Sequence, residues 1–143
     1  MAAPAGILEG MLKVHQYGIM SAPTTAQDAA LMAIVEGEPE VERMRAEYDR
    51  RRRLIVDGLN AIGLDTFEPL GAFYAFPRIS STGLDDEAFT ERLLMEERVA
   101  VVPGSAFGPS GAGHVRMCYA TSYEQLGEAL GRIGRFVERV RSS

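Results

Sequence analysis

The sequence predicts a two-layer α/β sandwich with a small, mainly antiparallel sheet. Three observations carry that expectation. From residue 40 onward the patterns run helix, two strands, helix, two strands, helix. The strand patterns are short, and two to three of the helices are long enough to cover one face of a sheet. At 143 residues the chain has room for one domain with a real core and not for two large ones.

The elements follow in order. Residues 4–16, PAGILEGMLKVHQ, place Ile7, Leu8, Met11, Leu12 and His15 along one side of a helix, and YGIMSAP breaks it. Thr24 or Thr25 can cap a second helix, with Asp28 in its first turn and Ala29, Ala30, Ala33 and Ile34 facing inward. EGEP at 36–39 ends that helix and is expected to mark a hinge, dividing residues 1–39 from residues 40–143. Val41, Met44, Tyr48, Ile55, Leu59 and Ile62 then repeat at three- and four-residue steps, with Gly63 as the C-terminal cap. Arg50 to Arg53 lie in this helix and read as a solvated face.

After Gly63 the period changes. LDTFEPL and AFYAFPRI read as strands, with Gly71 between them and Pro77 at an edge or end. Asp85 or Asp86 starts a helix carrying Phe89, Leu93 and Leu94. RVAVVPG reads as a third strand, and GSAFGPSGAG as a flexible loop into a fourth, GHVRMCYA. The last helix opens on a capping pair, Thr121 with Glu124 or Ser122 with Gln125. It carries Leu126, Leu130, Ile133, Val137 and Val140 on one face.

Composition narrows the function classes. The net charge of −5 argues against a nucleic-acid or anionic-membrane partner. No apolar run approaches the roughly 20 residues of a membrane span, and the start lacks a signal-peptide pattern. The single cysteine, Cys118, excludes an internal disulfide framework and a cysteine-based zinc site. A cytoplasmic setting is the expectation. Fourteen arginines stand against one lysine, Lys13, so chemistry that needs an amine nucleophile must use Lys13 or another chain.

The glycine-rich loop lacks the Gly-Lys-Ser/Thr and following helix of a phosphate loop. His15 and His114 have no metal-ligand company at useful spacing, and Cys118 reads as a small core residue. Arg116 is the exception. Strand alternation puts Val115, Met117 and Tyr119 on one face and Arg116, Cys118 and Ala120 on the other. Buried unpaired, a guanidinium costs several kcal/mol, about 3–5 when a partner is removed. Arg116 is therefore either a surface arginine on an open sheet face or a fork that grips a carboxylate.

GAFYAFPRI, then RVAVVPGSAFGPSGAGHVRMCYATSYEQLGEALGRI, strongly resembles the C-terminal part of fold type I, class I/II pyridoxal-phosphate-dependent aminotransferases. HQYGIMSAPTTAQDAALMAI is similar to the helix-turn-helix before the small domain of the same family, so the resemblance covers nearly the whole chain. It implies the family's C-terminal small domain at 40–143, preceded at 1–39 by connecting helices that pack on a large domain. It further implies transfer of an amino group between an amino acid and a 2-oxo acid, with pyridoxal 5'-phosphate as carrier in the full-length enzyme and a homodimer as the working state.

In that resemblance Arg116 binds the substrate α-carboxylate, and Phe73 lies near the substrate and the domain-closure interface. Tyr17 and Ser21 approach the neighbouring subunit's active site. The lack of an arginine beside Tyr17 implies an aromatic or apolar substrate side chain. The family's Schiff-base lysine, in a Ser-x-x-Lys segment, and its phosphate-binding arginine would precede residue 1. Lys13 sits in no such motif, so no cofactor is expected on this chain alone, and the chain by itself is expected to be inactive. The competing expectation is a stand-alone, non-catalytic domain of the same descent that binds carboxylates or mediates interactions.

Overall fold

The computed structural model describes residues 3–142. The chain divides into two compact units, residues 1–43 and 44–143. The first holds helices α1 (Ala5–Gly18) and α2 (Thr24–Glu36) and the opening of α3 (Glu38–Ala61). Pro4 and Pro23 precede α1 and α2, and neither helix has a side-chain cap. Thr24 is thus the first helical residue of α2 rather than its cap, and its first turn has no acidic residue, Asp28 lying beyond it.

Neither α1 nor α2 buries a side chain within this chain. Ala29, Ala30, Ala33 and Ile34, expected to face inward, are exposed, Ile34 at 83%. An inward face needs a core, and a 43-residue unit of helices is too small to build one alone.

The second unit has the core. After α3 come β1 (Tyr74–Ala75), α4 (Asp86–Glu97), β2 (Val102–Pro103), β3 (Val115–Cys118) and α5 (Tyr123–Arg141). The sheet is three-stranded in the order β1-β3-β2, with both pairings antiparallel. Tyr74 faces Cys118 across one pairing, and Val102 faces Arg116 across the other. Val115, Met117 and Tyr119 point to the helices and are buried. On the helix side they join Ile55 and Leu59 of α3, Phe89 and Leu93 of α4, and the face of α5.

The α5 face carries Leu126, Leu130, Ile133, Val137 and Val140 as the period predicts, with Phe136 added, all buried. Phe136 meets Phe89 edge to face, centroids 5.2 Å apart. Each such fully buried side chain is worth about 1.5–3 kcal/mol. Leu94, expected with Phe89 and Leu93, is 43% exposed because it lies one residue past the α4 stripe.

In the second unit three caps agree with the sequence. Gly63 has φ +83° and ends α3 with a Schellman pair, its N–H donating to the Asn60 carbonyl and the Leu64 N–H to the Leu59 carbonyl, each at 2.9 Å. Asp85 accepts from the Ala88 N–H, and Ser122 from the Gln125 N–H. The arginine run of α3 is paired along its own helix: Arg50 and Arg51 with Glu47, Arg52 and Arg53 with Asp49.

The strands depart from expectation. LDTFEPL is not a strand. The Asn60 side chain takes the place of a neighbouring strand, donating to the Thr66 carbonyl at 3.1 Å and accepting from its N–H at 2.9 Å. That occupies the backbone groups a ladder would need. AFYAFPRI contributes only β1 and an isolated Arg78–His114 bridge, and RVAVVPG only β2. One strand fewer leaves β3 in the centre, with Arg116 on it.

Candidate functional site

Alternation along β3 decides what faces outward. With Val115 and Met117 in the core, Arg116 and Cys118 take the opposite, open face. Cys118 is exposed, against its expected place in the core; its register, set by the apolar residues beside it, turns it outward. Tyr74, facing Cys118 in register, shares this open surface.

The Arg116 side chain is half-buried and has no hydrogen bond or ion pair among the described residues, its contacts being with two aromatic rings. Its guanidinium carbon lies 4.5 Å from the Tyr74 ring centroid and 4.4 Å from that of Phe107. Phe107 also meets Phe76 edge-on at 6.4 Å, and Phe76 stacks on His114 at 5.3 Å with 7° between the ring planes. The guanidinium carbon thus sits over both aromatic rings, and its N–H donors meet no acceptor among the described residues. A cation so placed attracts an anion and offers it a fork of parallel donors.

The loop that brings Phe107 to Arg116 is built for rigidity, where the sequence suggested flexibility. Two 3-10 turns, Gly104–Phe107 and Pro109–Gly111, pack backbone on backbone. A Cβ on Gly104 would stand 2.1 Å from the Gly111 carbonyl oxygen, and one on Gly111 2.0 Å from that of Gly104. Only glycines permit that approach. Asp86, at the start of α4 and 5% exposed, fastens the first turn by accepting the Ser105 N–H at 2.7 Å. The Ser105 backbone N–H, with the Ser105 hydroxyl, holds the Asp86 carboxyl below the usual range against the opposing effect of burial.

Of the other residues singled out from sequence, Phe73 stands at the entry to β1, 38% exposed, with its ring 4.8 Å from Tyr74 and 5.9 Å from Tyr48. It joins Arg116 through Tyr74. Its neighbour Ala72 holds φ +58°, and Tyr119 spans the pair: its hydroxyl donates to the Ala72 carbonyl at 3.1 Å and its N–H to the Phe73 carbonyl at 2.9 Å. Tyr17, 87% exposed, ends α1, and Ser21 follows Met20, whose φ is +66°. Both belong to the first unit.

Sequence reasoning missed Tyr74 and Phe107. The period of two through buried Ala75 could have marked Tyr74, whereas no local pattern marks Phe107. Among the described residues no His, Cys, Asp and Glu group could hold a metal ion, and no helix is long and apolar enough to cross a membrane.

Comparisons with known proteins give a consistent picture. The family described as aminotransferase class I and II matches residues 1–133. A Bacillus subtilis protein assigned as an aminotransferase, YugH, is 55% identical over 96% of this chain and 36% of its own length. An aspartate aminotransferase of Pyrococcus abyssi is 51% identical over 93% of this chain and 35% of its own. The solved structure of an aromatic aminotransferase from Pyrococcus horikoshii OT3 superposes with a TM-score of 0.91 at 50% identity, covering 96% of this chain and 37% of that one. The chain therefore spans little more than a third of the length of the relatives it matches.

Proposed function

The chain belongs to the aminotransferase class I and II family and has that family's small-domain α/β fold, and from this premise we propose that it supplies the substrate-carboxylate arginine of an amino-group transfer between an amino acid and a 2-oxo acid. One observation carries the reading: Arg116 stands on the open face of the sheet with no anion among the described residues to meet it. The anion is the α-carboxylate, gripped by two parallel N–H donors. Holding that group fixes the substrate's Cα against whatever reacts with it, which is the positioning part of catalysis.

The rest of the reaction comes from outside these residues. The family's carrier, pyridoxal 5'-phosphate, needs a lysine amine in a sheltered pocket. Lys13, the one lysine, has a side chain 71% exposed on α1 and is paired with Glu9 at 3.4 Å. It does not fit, and no step through the cofactor belongs to this chain. The exposed Ile7, Leu12, Leu31 and Val35 of α1 and α2 support packing against a further, large domain. A homodimer in which Tyr17 and Ser21 reach the partner's site completes the proposal. The segment around Tyr17 has no arginine, which favours substrates with apolar or aromatic side chains.

The test is twofold. Binding of pyruvate and L-alanine to the chain is followed by NMR, with Arg116→Ala and Arg116→Lys beside the unmodified protein. Arg116→Ala is expected to cost about 2–5 kcal/mol of carboxylate binding, and Arg116→Lys to lose much of the same because a point charge cannot reproduce the fork. Unchanged binding in Arg116→Ala would refute the assignment. With pyridoxal phosphate added, the chain alone is expected to transfer no amino group; turnover abolished by Lys13→Ala would overturn that part.

A further inference from the structure

The aromatic contacts of Arg116 go further than the carboxylate assignment on which they rest. A free arginine side chain is long, with rotamer freedom that binding must remove. Here that freedom is already restricted before any ligand arrives. One ring, Tyr74, is fixed by the β1–β3 register. The other, Phe107, is fixed by a turn with three independent restraints: the Gly104–Gly111 backbone contact, the Asp86 bond to Ser105, and the Ser105 carbonyl that accepts the Gly108 N–H at 3.0 Å.

Phe107 is also half exposed and lies outside the buried core cluster. A phenyl ring kept at the surface by a rigid turn, with a guanidinium 4.4 Å from its centre, contributes little to the core and much to the arginine. We infer that Tyr74 and Phe107 are positioning residues of the carboxylate site, which hold the Arg116 guanidinium in one place so that an incoming carboxylate meets its donors without first having to order the side chain. The rings hold the cation about its central carbon, and its N–H groups, with no acceptor among the described residues, remain for the ligand. The aromatic faces also exclude water from the cation's flank, which strengthens its attraction for an anion.

Phe107 is the ring to test, because its loss removes little packing. The probes are pyruvate titrations of the 143-residue chain and the NMR resonance of the Arg116 Nε–H group, which ring currents displace upfield. Phe107→Leu keeps bulk and removes the π-face. It is expected to return the Nε–H resonance toward that of a free arginine and to weaken pyruvate binding about 5-fold, in line with a partly exposed cation–π contact. Phe107→Tyr restores both, and thermal unfolding of all three proteins is expected to agree closely.

The outcomes separate the two claims. Pyruvate affinity unchanged in Phe107→Leu but lost in Arg116→Ala overturns the positioning role and leaves the carboxylate site standing. Affinity unchanged in Arg116→Ala overturns both. A weakening in Phe107→Leu that Phe107→Tyr fails to restore, or that comes with general destabilisation, reduces Phe107 to a structural residue and refutes the inference.

Discussion

Asp86 lies away from the open sheet face, yet replacing it should loosen the turn that carries Phe107. In Asp86→Ala the Ser105 N–H, now bonded at 2.7 Å to a carboxylate that is 5% exposed, loses its acceptor. A hydrogen bond to a charged group is worth about 1.5–3 kcal/mol. The favourable placement of a negative charge in the first turn of α4 adds about 0.3–1 kcal/mol. The loss should therefore be about 2–4 kcal/mol by urea denaturation, or a midpoint temperature lower by roughly 10–30 °C for a domain of this size. Exchange of the Ser105 amide should accelerate by more than that of core amides.

The pH dependence fixes the sign. Asp86 is held below its unfolded value, so its contribution is complete well above the unfolded carboxylate pKa of about 3.9. It is lost as the pH falls through the lower folded value. Asp86→Asn keeps an acceptor and loses the charge. It should cost about half as much as alanine at neutral pH, with its deficit vanishing in acid. An alanine variant within about 0.5 kcal/mol of the parent, or an asparagine deficit that persists at low pH, would refute this account of the turn.

Two further outcomes test the corrected fold. Asn60→Ala removes both bonds to the Thr66 backbone and should cost about 1–3 kcal/mol, with faster amide exchange at Thr66 while β1 keeps its protection; exchange unchanged at Thr66 would show that the segment is held otherwise. Cys118, exposed on the open face, should react fully with a maleimide in the folded protein. Labelling that requires denaturant would return Cys118 to the core, and with it the register that turns Arg116 outward.

The sequence by itself determined the helices, the caps at the end of α3 and the starts of α4 and α5, and the side of the sheet on which Arg116 stands. Those are local matters: a period of 3.6 or two, a serine or aspartate with an N–H to accept, a glycine at φ +83°. The apolar face of α5 was legible for the same reason, since its residues all answer to one buried surface. The quoted motifs also carried the family resemblance.

Tertiary structure decided the rest, wherever a partner distant in sequence could satisfy what a local pattern left open. LDTFEPL alternates like a strand, but Asn60 reaches Thr66 first. The glycines of the 104–113 loop have the composition of a flexible segment, yet two of them touch, and Asp86 reaches across from α4 to lock the turn. Phe107 carries no periodic signal. Its place against Arg116 follows from closing that turn over a sheet whose central strand presents a charge between two buried neighbours. Residue type and spacing fix what a segment can do locally; which backbone groups, rings and charges meet is settled only when the whole chain packs.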